Sequence, residues 1–239
     1  MEDRIFENKY QKEKYLLLTF SCRDTIIRTS DIERLLLKRK ENMMPPKAKF
    51  TKQEIVDAAL QLFREGGLES LTSRNLGKKL GSSACPIFTV FSSMEEVQTA
   101  MIESAKAIYK SYVEKGLTQE IPFRGVGAQY IQFAMDEPKL FHLLFMNETK
   151  DAPSVNCVLM LLDESYDIIL QSIMASFSID RQTAEQLYRH LWIYTHGIAC
   201  LCATRTCQFT QQETQSMMTE VFLSLLKNKT EIQKCGDDK

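Results

Sequence analysis

The sequence predicts an all-α fold of about nine helices. Glycine and proline are scarce, with nine and six in 239 residues, so the chain has few natural breaks, which favours helices over a turn-rich β architecture. Three capping boxes, in which Thr or Ser precedes Glu by three residues, begin at Thr51, Ser93 and Thr210. Apolar residues after these caps recur with helical spacing, and no segment alternates as a strand does.

The first predicted helices are short and closely spaced. After the Thr51 cap, one apolar helix face is formed by Ile55, Ala58, Ala59, Leu62 and Phe63, and Gly66-Gly67 ends that helix. A second helix begins at the Thr72 cap, buries Leu76 and Leu80, and closes at Gly81. A third helix fits residues 83–88, because Pro86 lies in its first turn, where no amide donor is required.

The later helices are longer on average. The predicted spans are Ser93 to about Lys115, Phe123 to Glu137 before Pro138, Leu140 to Phe145, Val155 to Phe177, Arg181 to about Arg205 behind the Asp180 cap, and a last helix after Thr210. We therefore expect a first domain at residues 44–97, a helical regulatory and dimerisation domain at 98–230, and a tail at 231–239.

Residues 1–43 differ from the rest and precede Met43-Met44 and Pro45-Pro46. We interpret them as an extension that is disordered or results from a misplaced start site. An alternative is a basic arm that touches nucleic acid, since they hold ten Lys/Arg against eight acids.

Charge is unevenly distributed although the net charge is only −1. Residues 45–93 carry seven Lys/Arg against four acids, whereas residues 102–239 carry thirteen against seventeen. This pattern is typical of a protein that meets phosphate with one part only. The charged start of the chain and the absence of an 18-residue apolar run predict a cytoplasmic protein without membrane contact.

The short helices on either side of Gly81 fit a helix-turn-helix. Gly81 can turn the chain sharply, and Gly77 lets the two helices cross closely. Ile87 is expected to face the core, whereas Ser83, Ala84, Cys85 and Thr89 project outward. In a DNA major groove such a helix presents small side chains and its N-terminal amides to bases and phosphates.

Residues 50–97 resemble the N-terminal domain of the TetR/AcrR regulators. They carry its I-x-x-A-A-x-x-L-F helix at Ile55–Phe63, its threonine cap at Thr72, its glycines at Gly77 and Gly81, and the pattern Ile87-Phe88-Thr89-Val90-Phe91. The resemblance implies a bacterial, homodimeric repressor that binds a double-stranded DNA operator, dimerises through its last two helices and responds to an unidentified small-molecule effector.

The expected DNA-binding residues are Lys49, Lys52, Thr72, Ser73, Arg74, Ser83, Ala84, Cys85, Pro86, Phe88 and Thr89. Two positions depart from the family pattern: Phe88 replaces a tyrosine, and Met94 replaces a lysine at the next helix start. Each change removes a phosphate contact, so we predict weak or strongly salt-sensitive binding unless neighbouring lysines compensate.

A second resemblance covers residues 121–205. Phe133-Ala134 before Pro138-Lys139-Leu140-Phe141, and then Trp192 to Gly197, are similar to a TetR subgroup with a Trp-x-x-x-His-Gly motif. The expected pocket residues are Tyr130, Phe133, Phe141, Phe145, Tyr166, Trp192 and His196. The alternative interpretation makes most of them core and His196 a packed core histidine.

Other chemistry has little support in the sequence. Cys200, Cys202 and Cys207 could form a metal or thiol sensor, but on a helix the first two point about 200° apart. No phosphate-binding loop, zinc-protease motif or serine-hydrolase motif occurs, so we predict no enzyme, no metal and no cofactor. The competing hypothesis is an all-helical adaptor protein that has lost DNA binding, motivated by Phe88 and Met94.

Overall fold

The computed structural model describes residues 48–148, 151–155, 157–159 and 165–237, together with Arg34, and side chains as far as Lys227. The predictions for residues 1–43 therefore lie almost wholly outside the described residues. Within them the fold is all-α, as predicted, with eight α-helices and two 3₁₀ helices. The α-helices are α1 (Lys52–Gly66), α2 (Ser73–Lys79), α3 (Met94–Leu117), α4 (Pro122–Asp136), α5 (Pro138–Phe145), α6 (Tyr166–Phe177), α7 (Arg181–Ala203) and α8 (Gln211–Asp237), and the 3₁₀ helices are Leu68–Ser70 and Cys85–Thr89.

Two of the three predicted capping boxes form as expected. At Thr51 and at Thr210 the hydroxyl accepts from the N3 amide, and the N3 glutamate accepts from the cap amide. At the third, Ser93 accepts from the amide of Glu96, but the Glu96 carboxylate bonds the amide and hydroxyl of Ser92 instead. The starts of these helices are therefore determined by local hydrogen bonds that can be predicted from the sequence.

The predicted helix from Val155 to Phe177 is not continuous. The carbonyl of Ser154 accepts from the amides of Cys157 and Val158 in a turn at Val155. Val158 and Leu159 are helical, and Ser165 lies in a turn before α6 begins at Tyr166. Residues 156 and 160–164 lie outside the described part of the chain.

Two hydrophobic clusters hold the helices together. The first joins α1, α2 and the Cys85–Thr89 helix to α4, α5 and the end of α7, with Ile55, Leu76, Ile87, Phe133 and Phe141 fully buried. The second joins the end of α3 and the start of α4 to α6, α7 and α8. α4 packs against α3 on one side and α7 on another, so it belongs to both clusters.

None of the described helices combines the length and the apolar character that a bilayer crossing requires.

Candidate nucleic-acid interface and internal cavity

Gly77 and Gly81 fix the geometry between α2 and the Cys85–Thr89 helix. Gly81 has φ of 64°, in the left-handed region that favours glycine. The amide of Gly81 donates to the carbonyl of Lys78, and the amide of Ser82 donates to the carbonyl of Gly77. These two hydrogen bonds form a Schellman motif that ends α2. A Cβ on Gly77 would lie 2.8–2.9 Å from backbone atoms of Ser83 and Ala84. Both predicted glycine roles are therefore present in the structure.

The predicted third helix is a 3₁₀ helix from Cys85 to Thr89 rather than an α-helix from residue 83. Pro86 supplies no amide, and the Thr89 hydroxyl donates to the Pro86 carbonyl at 2.6 Å, so that carbonyl already has a local partner. The amide of Ile87 donates to the carbonyl of Ala84, and the amide of Val90 donates to the carbonyl of Ile87, which is the three-residue spacing of a 3₁₀ helix. The segment is shorter and tighter than the sequence pattern indicates.

The side chains of this segment divide cleanly between core and surface. Ile87 is 0 % exposed and anchors the segment in the first hydrophobic cluster, as predicted. Phe88 is 46 % exposed, which is unusual for a large apolar side chain. The other predicted contact residues of the segment are exposed (Ser83, Cys85, Thr89) or half-buried (Ala84, Pro86).

Basic side chains lie just before α1, on α1 and on α2. Lys49 donates to the hydroxyl of Ser82 at 3.0 Å, and the Lys52 ammonium lies 5.2 Å from the ring centroid of Phe91. Lys79 pairs with Glu65. Arg74 and Lys78 are exposed on α2, with no ion pair formed among the described residues. These cations create a positive rim near the segment.

Thr72 and Ser73 lie at the start of α2. Thr72 is the N-cap and its hydroxyl accepts from the amide of Asn75 at 3.2 Å. Thr72 is exposed and Ser73 is half-buried, and Arg74 follows on the first turn. This helix start therefore offers hydroxyls and a guanidinium next to one another.

The helical domain contains an internal cavity of about 30 Å³. Six aromatic rings line it, from Tyr109, Phe123, Tyr130, Phe145, Tyr188 and Trp192. The remaining walls are Val126, Gly127, Leu159, Leu191, Thr195 and Met218. Ligand pockets for drug-sized molecules measure roughly 300–1,000 Å³. In this conformation the cavity has room for one or two water molecules.

Six of the seven predicted pocket residues lie in three different places. Tyr130, Phe145 and Trp192 line the cavity. Phe133 and Phe141 are 0 % exposed and belong to the first cluster behind it. Tyr166 stacks on Tyr188, with ring centroids 5.7 Å apart, in the second cluster.

His196 connects the cavity wall to a thiol. Its Nδ1 lies 2.9 Å from the Tyr130 hydroxyl, and its Nε2 lies 3.4 Å from the sulfur of Cys200. Its ring stacks on Trp192 at 5.2 Å. Burial lowers the pKa of His196, and burial also raises the pKa of Tyr130 well above its ordinary value. Both groups are therefore neutral at physiological pH.

The cysteine cluster is divided by the end of α7. Cys200 and Cys202 lie in its last turn, whereas Cys207 follows the helix and is exposed. Burial raises the pKa of the Cys200 and Cys202 thiols, which makes them poor nucleophiles. Among the described residues no group of three or more His, Cys, Asp or Glu side chains could hold a metal ion.

An ion-paired seam joins α1 to the α4–α5 junction. Arg64 donates from Nε and Nη2 to the two oxygens of Glu137, at 2.8 and 2.6 Å. Lys139 donates to the carbonyl of Glu65, whose side chain pairs with Lys79. An open groove of about 680 Å³ runs beside this seam. The groove is open to solvent, so it encloses a ligand less well than the internal cavity does. The Glu137 carboxylate on its wall is already paired with Arg64.

Residues 52–89 have the arrangement of a helix-turn-helix domain within a longer helical chain. Residues 55–101 match the family described as bacterial regulatory proteins, tetR family. This match covers the part of the chain that contains α1, α2 and the Cys85–Thr89 helix. The resemblance predicted for the N-terminal region is confirmed.

A solved structure of a TetR-like transcriptional regulator from Rhodococcus sp. RHA1 has the same fold, with a TM-score of 0.53 and 16 % identity over 75 % of this chain and 95 % of that chain. Two others score lower. A TetR variant from Acinetobacter baumannii AYE in complex with minocycline has a TM-score of 0.46 and 14 % identity, over 77 % and 98 % of the two chains. SmeT, the repressor of the Stenotrophomonas maltophilia multidrug efflux pump SmeDEF, has 0.43 and 14 %, over 74 % and 90 %.

Among curated proteins none matches this chain in sequence.

Several cavity residues were not predicted from the sequence. Tyr109, Phe123, Tyr188 and Met218 come from four different helices, and only Tyr188 carried a local signal, since it precedes Trp192 by one helical turn. The seam between Arg64 and Glu137 was also missed, because these residues are 73 positions apart.

Proposed function

We propose that this chain is a homodimeric transcriptional repressor that binds operator DNA through residues 49–89 and is released by a small-molecule effector bound in its helical domain. The helix-turn-helix segment carries the proposal. Ile87 fixes the segment in the core, while the exposed side chains of Ser83, Cys85, Phe88 and Thr89 face solvent beside Arg74 and Lys78. Such a face fits a major groove flanked by phosphates. The tetR-family match over residues 55–101 supports the same assignment.

Dimerisation is proposed through α7 and α8. One face of α7 exposes His190, Ile193, Gly197 and Leu201, which recur with helical spacing. Leu223 on α8 is 56 % exposed. A Cβ on Gly197 would meet nothing within 4 Å, so a second helix can approach the backbone closely there. Two such pairs of helices would bury these apolar side chains in a four-helix bundle. The helical domain would then be that of the subgroup with the Trp-x-x-x-His-Gly motif.

Release is proposed to pass through the junction of α4 and α5. Tyr130 on α4 and Phe145 on α5 line the cavity, and Glu137 at the junction binds Arg64 of α1. An effector that separates the rings would move this junction and, through Arg64 and Glu65, shift α1 and α2. The two recognition segments of the dimer would lose their spacing of about 34–36 Å, which one turn of DNA requires.

A gel-shift on DNA flanking the gene tests the DNA-binding function. Lys78→Glu, alone and with Lys79→Glu, should weaken the discrete shift by at least about tenfold, because each reversal removes a phosphate contact and adds repulsion. Lys115→Glu, at an exposed site near the end of α3, is the matched control and should bind normally. The absence of any shift with the unmodified chain at low salt would favour the adaptor hypothesis, in which charge reversal leaves partner binding intact.

The same assay can restore the contacts that the two departures remove. Phe88→Tyr adds a hydroxyl at an exposed position and should tighten binding several-fold, by about 1 kcal/mol, at every salt concentration. Met94→Lys adds a charge at the start of α3, and should steepen the dependence of log K on log salt by about 0.9. If neither variant binds more tightly, Phe88 and Met94 do not lie against the phosphates.

A further inference from the structure

The walls of the internal cavity are unusually rich in flat rings. Tyr109, Tyr130 and Phe145 form one group of edge-to-face and tilted contacts, with centroids 4.9–6.0 Å apart. Phe123 contacts Tyr188 edge-to-face at 5.8 Å, and Trp192 stacks on His196. Rings arranged in this way offer faces and edges to a further ring at low cost in side-chain entropy.

The walls of this cavity, as far as the described residues show, carry no formal charge. None of the twelve lining side chains is Asp, Glu, Lys or Arg. The pKa of Tyr130 is raised by burial and then by Cys200 and Tyr188, with no carboxylate contributing. His196 behind Trp192 is held neutral by burial. Among the described residues that line it, an ion that entered would lose its hydration without gaining a partner of opposite charge, which strongly disfavours its binding.

One wall of the cavity is adjustable. The methyl carbon of Met218 on α8 lies 2.5 Å from the position that a Cβ on Gly127 would occupy. The missing side chain of Gly127 on α4 thus leaves space that the end of Met218 fills, and both residues line the cavity. Methionine is long, unbranched and readily changes rotamer. Withdrawal of the end of Met218 would therefore enlarge the cavity from its present 30 Å³.

We propose that the cavity binds a neutral, planar aromatic molecule of one or two rings, which inserts between the rings of α3, α4 and α7 and displaces Met218. This inference rests on the proposed function, because it names the chemical class of its effector. Cation–π attraction alone favours a positively charged ring, but without a facing carboxylate it does not compensate for complete dehydration.

Three isosteric probes that differ only in charge test the proposal on the full chain. They are 2-acetylnaphthalene, which is neutral, 2-naphthoate, which is an anion, and 2-naphthamidine, which is a cation. Calorimetry gives each Kd, and quenching of Trp192, the single tryptophan of the chain, locates the probe. The neutral probe should bind at least about tenfold more tightly than either ion. Equal or tighter binding of an ion, or no binding of any probe, would overturn the proposal.

Paired variants test the position of the site. Gly127→Leu fills the cavity and should weaken binding of the neutral probe by at least about tenfold, whereas Met218→Ala enlarges it and should tighten binding. Met135→Ala is the matched control, because Met135 lies on α4 but is exposed and outside the cavity. Unchanged binding in both cavity variants, each checked for its folded helical signal, would place the site elsewhere.

A separate gel-shift distinguishes this inference from the proposed function. If the neutral probe binds but does not release DNA, the ligand class stands and the effector role fails. If the chain binds no DNA but still prefers the neutral probe, the repressor function fails and the ligand class again stands. If the chain binds operator DNA and the neutral probe shows no preference over the ions, only the inference about ligand class fails.

Discussion

Around Gly77 the chain packs backbone against backbone, whereas around Tyr130 it packs ring against ring. In the first region α2 and the Cys85–Thr89 helix meet with no side chain between Gly77 and the backbone of Ser83 and Ala84, and Leu76, Ile87 and Phe91 are almost completely buried. In the second region aromatic rings from α3, α4, α5 and α7 enclose a small cavity.

The difference indicates where the molecule tolerates change. A backbone contact has one allowed distance, so the helix-turn-helix holds its exposed residues in a fixed arrangement. Rings and a methionine can tilt and repack around a guest at modest cost. A fixed contact surface and an adjustable interior are the two properties that the proposed ligand-responsive repressor would need.

The largest expected effect comes from matched truncations in the two regions. Phe91→Ala, at a side chain that is 1 % exposed, should lower the free energy of unfolding by about 3–5 kcal/mol. Phe145→Ala, half-buried beside an existing cavity, should cost about 1–2 kcal/mol less, because less new empty volume is created. Urea denaturation followed by circular dichroism measures both. Equal losses would contradict the contrast between the regions.

Gly77→Ala should cause the next largest loss in the free energy of unfolding. The added methyl would lie under 3.0 Å from three backbone atoms, which cannot move like a side-chain end, so we expect a loss of about 1–3 kcal/mol and weaker DNA binding. Alanine is otherwise the better helix former, so a neutral or stabilised variant would show that the two segments are not in contact. Lys78→Ala, at the next and exposed position, is the control for unfolding and should change stability little.

The ion pair between the regions should contribute less. Removing either partner, as Arg64→Gln or Glu137→Gln, should lower the free energy of unfolding by about 1 kcal/mol, since the pair is bidentate but partly exposed. A double-mutant cycle isolates the interaction energy from other changes at each site. A coupling energy near zero would mean that the pair of Arg64 and Glu137 does not couple α1 energetically to the α4–α5 junction.

The smallest effect concerns the pH dependence of the adjustable region. Because burial lowers the pKa of His196 below its ordinary value of 6.5, the folded state favours the neutral ring. Its contribution is complete above pH 6.5 and is lost as the pH falls below 6.5 through the native pKa. The midpoint of thermal unfolding should fall less steeply from about pH 7 to about pH 5.5 in His196→Gln than in the unmodified chain.

The helix-turn-helix could be predicted in detail because its determinants are local. Thr51, Thr72, Gly77 and Gly81 act on neighbours within a few positions, and Ile87 begins a local apolar pattern that ends at Phe91. The same local reasoning failed at Pro86 and Thr89, where a missing amide and a competing hydroxyl produce a 3₁₀ helix.

The cavity could be predicted only in part because its walls are distant in sequence. Trp192 belongs to a recognisable motif and Tyr130 precedes another, but Tyr109 and Met218 reach the same space from α3 and α8. Spacing within one helix does not reveal which helices meet. Phe133 and Phe141 are phenylalanines like Phe145, which lines the cavity, yet they pack behind it in the first cluster. Residue type thus predicted an aromatic interior without identifying the face that is hollow.

Glu137 is at once the C-cap of α4 and the N-cap of α5, so no linker residue separates the two helices. A residue inserted or deleted in the first turn of α5 would turn the following side chains of that helix by about 100° around its axis, and Phe141 and Phe145 would point away from their neighbours. Relatives that share this architecture should therefore vary in the residues between 133 and 141 but not in their number.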